Sequence, residues 1–313
     1  MKKKVNLMKR KLIKLAEKTL VISLPNDWVR TQGLTKGDEL ELSQEDYKLT
    51  IIPPQKILPH KTTQLDVNGM SERVLRWNIS SLHKKGYDEI TIINYNKEQE
   101  IIIKELLRDL FIGFIIKEKS SMRIVVGQIA EIDVKEFDTT LRRAFRHLNE
   151  MTEDLEIAFR EKNPDKLNVQ IQHEHTNNKL TNFCERLLNK NLKQKTNGHF
   201  WYVITWNLEK IADNHKYIAE YYKDKPIISD EALKLIASLK KYQEGYTKIL
   251  YDFKIENLVT LSKQKKDLEK QILEQLKKGP KEDVVLLHYL HMMVLQLADF
   301  SASIIAIKTE DYQ

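Results

Sequence analysis

The side chains best suited to binding chemistry are two carboxylates one helical turn apart and a run of basic residues at the N terminus. Glu209 and Asp213 stand at positions i and i+4 of a segment with helical periodicity, and like charges at this spacing repel each other weakly. A divalent cation would compensate the repulsion, because such ions take carboxylate oxygens as ligands. A lysine on the same face, such as Lys210 or Lys216, would do the same. The pair therefore predicts either a metal site or a salt-bridged surface.

The basic residues are concentrated at the N terminus. The chain of 313 residues has 52 basic and 45 acidic side chains, a net charge of +7. Residues 1–18 hold eight basic side chains and one acidic one, so the whole excess lies there, and the remaining 295 residues are balanced at 44 of each sign. A local excess of this kind indicates an anionic partner, and its alternative is a solvated charged tail.

Duplex DNA is the anionic partner that we expect. Lysines mostly contact phosphates and position a protein on the duplex, whereas arginines more often read guanine edges. Because the basic run contains a single arginine, we expect strongly salt-dependent affinity and modest base readout. The predicted DNA-binding side chains are Lys9, Arg10, Lys11, Lys14, Lys18 and Arg30.

Residues 10–52 must position these basic side chains, and their pattern predicts a small β-rich unit. Pro25 removes a backbone donor and so ends a strand, while Gly33 ends a short helix. A unit of this size buries too little surface to fold alone, so it needs a partner. The predicted order is a strand at 19–24, a helix capped by Asn26 or Asp27 and ended by Gly33, a turn at Gly37 and Asp38, and strands at 39–42 and 48–52.

Residues 14–42, KLAEKTLVISLPNDWVRTQGLTKGDELEL, resemble the AbrB/SpoVT family of swapped-hairpin transcription factors. The most specific part is SLPNDWVRTQGLTKGDEL, residues 23–40. The resemblance implies that two chains interleave their hairpins into one β-barrel and that basic side chains of the N-terminal hairpin hold DNA. The sequence departs from the family pattern in the first turn, where Ala16 and Glu17 replace the usual glycine.

The rest of the chain divides after a proline-rich linker. Residues 62–130 alternate between strand and helix patterns and predict a small α/β domain, either a structural or dimerisation module or a small-ligand sensor. No phosphate loop, catalytic triad or metal spacing occurs there, so we predict no enzyme. From residue 138 the periodicity becomes helical, which predicts a bundle of antiparallel neighbours. The predicted helices are 138–161, 164–192, 198–223, 229–253, 256–278 and 281–309.

The third and sixth predicted helices look related, which suggests two three-helix repeats. Asp299 aligns with Asp213, whereas Leu295 stands where the first helix has Glu209. The stretch TWNLEKIADNHKYIAE, residues 205–220, resembles the helix motif of PhoU proteins. That resemblance implies a regulator of phosphate uptake of a type known chiefly from archaea, with a phosphate transporter ATPase subunit or a sensor kinase as partner. It also implies iron or zinc on Glu209, Asp213 and Asp299.

The sequence therefore predicts a multidomain α+β protein with domains at 1–55, 62–130 and 137–313. These are an AbrB-like swapped-hairpin β-barrel in a homodimer, a small α/β domain, and a six-helix PhoU-like antiparallel bundle. The expected function is DNA-binding transcriptional regulation of phosphate uptake, and the alternative is a PhoU-type adaptor that acts by protein contact. The single cysteine, Cys184, fits a cytoplasmic protein, and polar residues interrupt the most apolar segment, 284–307, so no membrane insertion is expected.

Overall fold

The computed structural model describes residues 8–15, 19–45, 47–53, 60–130, 136–191 and 197–308. Its contacts divide the chain into two compact units, Met1–Pro59 and His60–Gln313. The second unit contains both the predicted α/β segment and the predicted helical segment. The division into three domains stays a prediction.

The first unit consists of short strands around one short helix. Its described strands form two separate antiparallel pairs, β1 with β2 and β3 with β4, and the described residues of this one chain form no closed barrel. The elements are β1 (Ile13–Lys14), β2 (Leu20–Val21), α1 (Asn26–Thr31), β3 (Glu41–Glu45) and β4 (Lys48–Ile52). The predicted mixed α+β class is therefore confirmed for this unit.

Helix α1 ends as predicted but begins differently. Gly33 has a φ of +67°, and its N–H donates to Arg30 O (3.1 Å) while the next N–H, of Leu34, donates to Val29 O (3.0 Å). This is the hydrogen-bonding pattern with which glycine commonly ends a helix. The predicted cap at Asn26 or Asp27 is wrong, because the cap position needs an extended backbone and Pro25 supplies it (φ −64°, ψ 124°) without a side-chain hydrogen bond. The predicted strand at 19–24 is shorter, being confined to β2.

The second unit begins with a four-stranded mixed sheet. Its strand order is β5-β6-β8-β7, with β5 parallel to β6 and the other neighbours antiparallel. The alternation predicted between 62 and 130 is confirmed, with boundaries within about two residues. The elements are β5 (Thr62–Asp66), α2 (Glu72–Lys84), β6 (Glu89–Ile93), α3 (Lys97–Asp109), β7 (Phe114–Lys119) and β8 (Arg123–Gln128).

Helices α2 and α3 cover one face of this sheet. Alternate strand residues point to opposite faces, and Ile90 and Ile92 are buried under Leu75 of α2 and Leu106 of α3. Helix α3 begins at a reciprocal cap in which the Gln99 N–H donates to Asn96 Oδ1 (2.8 Å) and the Asn96 N–H donates to Gln99 Oε1 (3.1 Å). Both contacts satisfy backbone donors that a helix start leaves unpaired.

The helical part of the second unit contains long helices joined by short connections, as the 3.6-residue periodicity predicts. Within α4–α6 and within α7–α9, consecutive helices pack on each other, and with connections this short they are antiparallel. The helices are α4 (Glu136–Arg160), α5 (Pro164–Asn191), α6 (Gly198–Tyr222), α7 (Asp230–Tyr251), α8 (Ile255–Lys278), α9 (Val284–Ala298) and α10 (Phe300–Lys308).

The sixth predicted helix is not continuous. A 3₁₀ turn at Lys281–Asp283 precedes α9, and a one-residue interruption at Asp299, whose backbone stays helical (φ −62°, ψ −19°), separates α9 from α10. No glycine or proline marks the break, so the apolar pattern alone reads as one helix. The prediction of one helical segment is therefore confirmed in extent over the described residues Lys281–Lys308, and only the continuity of its hydrogen bonding differs.

The helices fall into two sets of three that pack in the same way. Within α4–α6 and within α7–α9 every helix contacts both others, and the two sets meet through α4 with α7 and α6 with α9. This arrangement is consistent with two three-helix repeats. A shared origin of the two sets stays a prediction.

Among the described residues, Lys281–Lys308 is long and apolar enough to cross a membrane, judged by length and composition only. Its apolar side chains also belong to the bundle core, where Leu286, Leu290, Met293 and Leu297 are fully buried. The core helix of a soluble protein has the same composition, so the segment is weak evidence for a membrane span.

Candidate nucleic-acid interface and a charged seam in the bundle

Strand β1 and the segment leading into it carry most of the predicted DNA-binding residues. Lys14 lies in β1, paired with Leu20 of β2, and the Leu15 N–H donates to Thr19 O (3.0 Å). The side chains of Lys9, Arg10, Lys11 and Lys14 are all exposed to solvent. Exposed cations on one strand and the segment leading into it can approach a phosphate backbone. Lys18 lies outside the described residues.

Two arginines lie close to helix α1. Arg10 lines a cavity of about 680 Å³ together with Pro25, Trp28 and Thr31. Arg30 lies on α1, and its guanidinium is 3.5 Å from Asp27 Oδ1, with 86% and 95% of the two side chains exposed. An ion pair this exposed contributes little to stability. Both guanidinium groups are therefore available to an anionic partner.

The first unit exposes most of its apolar side chains. None of the side chains that the structure describes in residues 8–53 is buried. A soluble monomer rarely leaves so many large apolar groups in water, and each would gain free energy on burial. The apolar side chains that are more than 40% exposed are Met8, Leu12, Ile13, Leu15, Leu20, Ile22, Leu42, Tyr47 and Leu49.

One comparison with known proteins matches this unit. Residues 13–58 match the family model of MazE, described as "Antidote-toxin recognition MazE, bacterial antitoxin". The match supports an N-terminal domain of the swapped-hairpin class, and it is consistent with either a DNA-binding regulator or an antitoxin. No curated protein and no solved structure matches the chain. The PhoU resemblance of residues 205–220 has no support from these comparisons.

In the second unit, Glu209 and Asp213 belong to a row of alternating charges between α2, α5 and α6. We call it the charged seam, and it consists of Lys84, Glu174, Glu185, Glu209, Lys210, Asp213 and Lys216. Lys84 Nζ lies 2.9 Å from Glu185 Oε2 and 3.2 Å from Glu209 Oε2. The Glu185 carboxylate is fully buried, and burial raises its pKa although the Lys84 charge opposes this effect. Lys84 thus holds together helices from both parts of the unit.

Asp213 is held by two lysines of its own helix. Its carboxylate accepts from Lys210 (2.9 Å) and Lys216 (3.3 Å), and Lys216 also donates to Glu174 (2.6 Å). Burial acts to raise the pKa of Asp213, but the hydrogen bond from Lys210 and the two lysine charges bring it below its ordinary value. For Glu174, which is almost fully buried, desolvation prevails and the pKa is raised.

The residues of the charged seam do not fit a metal cluster. Lysine ammonium groups occupy the positions from which a cation would approach Glu209 and Asp213. Asp299, the third predicted ligand, lies at the break between α9 and α10. Within the described residues, no group of three or more His, Cys, Asp or Glu side chains could hold a metal ion. The contacts favour the salt-bridged alternative, and iron or zinc binding stays a prediction.

A buried arginine and the acid that it contacts were not predicted from the sequence. Arg186 of α5 is fully buried and donates to Asp88 Oδ1 (2.8 Å) and to the carbonyl oxygens of His83 (3.0 Å) and Tyr87 (2.7 Å). Lys190 also contacts Asp88. The sequence feature that could have indicated this buried pair is the large number of polar residues in α5, which leaves that helix without a clear apolar face.

Proposed function

We propose that this protein is a DNA-binding transcriptional regulator whose first unit binds duplex DNA as a homodimer. The observation that carries the proposal is the combination of unpaired basic side chains and unburied apolar side chains in the unit that matches the MazE family model. The apolar groups need a second surface of the same kind, and the basic groups need an anion. A homodimer on DNA satisfies both requirements.

In the proposed dimer, strands β1–β4 of two chains interleave into one barrel. The exposed Leu12, Leu20, Leu42 and Leu49 would then form a shared core, which neither chain has alone. The hairpins of both chains would present Lys9, Arg10, Lys11 and Lys14 on one surface, where phosphate contacts would dominate the affinity. Arg10 and Arg30 are the side chains suited to guanine edges.

The finer proposal is that the regulated process is phosphate uptake and that the helical bundle senses phosphate status in the cytoplasm, directly or through a partner. Its support is the PhoU-like stretch at 205–220 and the paired three-helix sets. The alternative is an adaptor that contacts a phosphate transporter ATPase subunit or a sensor kinase without specific DNA binding. The description of the matching family model favours a second candidate, an antitoxin.

Fluorescence anisotropy with full-length protein tests the DNA proposal. The DNA is a duplex from upstream of phosphate-uptake genes, with a scrambled duplex for comparison, at about 50 and 200 mM salt. Replacing Lys11 and Lys14 by alanine removes two phosphate contacts per chain and four per dimer. We expect about 10–100-fold weaker binding and a log–log salt slope shallower by about 4.

The matched control replaces Lys223 and Lys225, two exposed lysines between α6 and α7, and removes the same charge from the second unit. We expect it to bind DNA as the wild type does. Equal losses in both double variants would contradict the hairpin as the interface. An absence of binding at low salt would leave the hairpin as a dimerisation device and favour the adaptor.

A further inference from the structure

The second unit has a concave basic site on α4 and α7, far in sequence from the N-terminal basic run. A cavity of about 590 Å³ is lined by Asp138, Thr139, Arg142, Arg143 and Arg146 of α4 and by Thr247 and Tyr251 of α7. This volume lies within the range of roughly 300–1,000 Å³ that small-molecule sites have. Arg146 lies one helical turn from both Arg142 (i, i+4) and Arg143 (i, i+3), so its guanidinium is a neighbour of each.

These three arginines differ from most others in the unit. Arg73 lies over the Trp77 ring, and the other five each form an ion pair with a carboxylate: Arg76, Arg108, Arg123, Arg160 and Arg186. Within the described residues, the guanidinium groups of Arg142, Arg143 and Arg146 form no ion pair. Unpaired like charges one helical turn apart destabilise a helix slightly. An anion in the cavity would remove that repulsion.

Arg142 is already fixed in position. Its guanidinium carbon lies 4.1 Å from the centre of the Tyr251 ring, which is a favourable cation–π contact. A guanidinium group held over a ring can still donate from its N–H groups, and that fork matches the oxygens of a phosphoryl or carboxylate group. Burial raises the pKa of Tyr251 although Arg142 opposes the effect, so its phenol stays a neutral hydrogen-bond donor.

We propose that this cavity binds a small polyvalent oxyanion, a molecule with several phosphoryl or carboxylate groups. The three guanidinium groups would share its charges, and the hydroxyl groups of Thr139 and Tyr251 would donate to its remaining oxygens. The concave shape favours a small molecule over a duplex backbone or a membrane surface. The Asp138 carboxylate also lines the cavity, so the charges of the ligand are expected to lie beside the arginines and away from it. The proposal is independent of DNA binding by the first unit.

Isothermal titration calorimetry, which measures the affinity of the full-length protein for pyrophosphate and for citrate, tests the proposal. We expect salt-sensitive binding of one or both, and the tighter probe identifies the phosphoryl or the carboxylate class. The double variant Arg143→Gln/Arg146→Gln should lose at least tenfold in affinity and keep the wild-type melting temperature, because both side chains are exposed.

Two controls separate this site from general charge effects. Arg123→Gln/Arg160→Gln removes the same charge from exposed ion pairs, and Lys11→Ala/Lys14→Ala removes it from the N-terminal run; both should bind the probes as the wild type does. No binding of either probe at millimolar concentration, or equal losses in all three double variants, would overturn the proposal. The proposal would also be overturned if the Arg143→Gln/Arg146→Gln variant bound duplex DNA or anionic vesicles more weakly than the wild type while its affinity for both probes stayed unchanged.

Discussion

Replacing Arg186 by methionine is expected to lower the free energy of unfolding of the second unit by about 4 kcal/mol, since removing one member of a buried ion pair costs about 3–5 kcal/mol. The guanidinium is fully buried and donates to Asp88, to Gln128 and to the carbonyl oxygens of His83 and Tyr87. Methionine keeps most of the side-chain length but removes every one of these donors. Asp88 keeps its contact with Lys190 and His83 O keeps the Gly86 N–H, so the loss falls mainly on Tyr87 O, on Gln128 and on the charge balance at Asp88. Urea unfolding followed by far-UV circular dichroism measures the change.

Arg186→Lys should give an intermediate loss, because it keeps the charge beside Asp88 and loses the planar fork that reaches both carbonyl oxygens. Burial lowers the pKa of Arg186 to about 10, with Asp88 acting against the shift, so the group stays charged at neutral pH. The control is Arg108→Met, where the arginine side chain is 74% exposed beside Asp109 and a change within about 0.5 kcal/mol is expected. A loss of less than about 1 kcal/mol in Arg186→Met would mean that Lys190 satisfies Asp88 alone.

Lowering the pH from about 7 to 5 is expected to destabilise the second unit by about 2 kcal/mol through His215 alone. This histidine is fully buried in the bundle, where its ring contacts Ile211 O through Nδ1 (2.9 Å) and Thr152 Oγ1 through Nε2 (3.0 Å). Burial lowers its pKa to about 4. The neutral ring donates from Nδ1 to Ile211 O and accepts at Nε2 from the Thr152 hydroxyl. A protonated ring would reverse the Thr152 contact and place a charge in the bundle core.

The direction follows from proton binding in the two states. Between the ordinary pKa of about 6.5 and the folded value, the unfolded chain binds the proton more readily, so the free energy of unfolding falls as the pH falls. The loss begins near pH 6.5 and reaches about 3 kcal/mol below pH 4. His83 contributes in the same direction, because burial and the charges of Arg186 and Lys84 lower its pKa well below the ordinary value.

His215→Gln is the informative variant, because glutamine keeps a donor and an acceptor but does not titrate. Its free energy of unfolding should fall by about 2 kcal/mol less than that of the wild type between pH 7 and 5. The control His175→Gln replaces a histidine whose side chain is 53% exposed and should keep the wild-type pH dependence. An unchanged pH dependence in His215→Gln would contradict the buried neutral ring.

The sequence predicts helices and strands in the second unit well because their signals are local. The helical period and the stop at Asn163 and Pro164 locate the end of α4 and the start of α5 within one residue. Burial of His215 was likewise predictable, since it falls in the apolar series of its own helix. The one-residue interruption between α9 and α10 at Asp299 was not predictable, because the apolar pattern continues across it.

Contacts between elements distant in sequence account for most of what the sequence did not predict. Whether a polar residue of α5 points inward depends on its partner, and Arg186 finds Asp88 almost a hundred residues earlier in the chain. In the sequence, the arginines at 142, 143 and 146 have the pattern of a solvated helix face. Only the packing of α4 on α7 shows that Thr247 and Tyr251 line the same cavity. The basic N-terminal segment was predicted because its charges lie close together in the sequence, within residues 9–18.

The lack of buried side chains in the described part of the first unit has a consequence for dosage. A module whose core forms only between two chains assembles in a step that is second order in protein concentration, so its stability depends on how much protein is present. When most chains are single, doubling the protein raises the amount of dimer about fourfold. Occupancy of a DNA site would then respond to protein level with a threshold, without any ligand-driven change of shape.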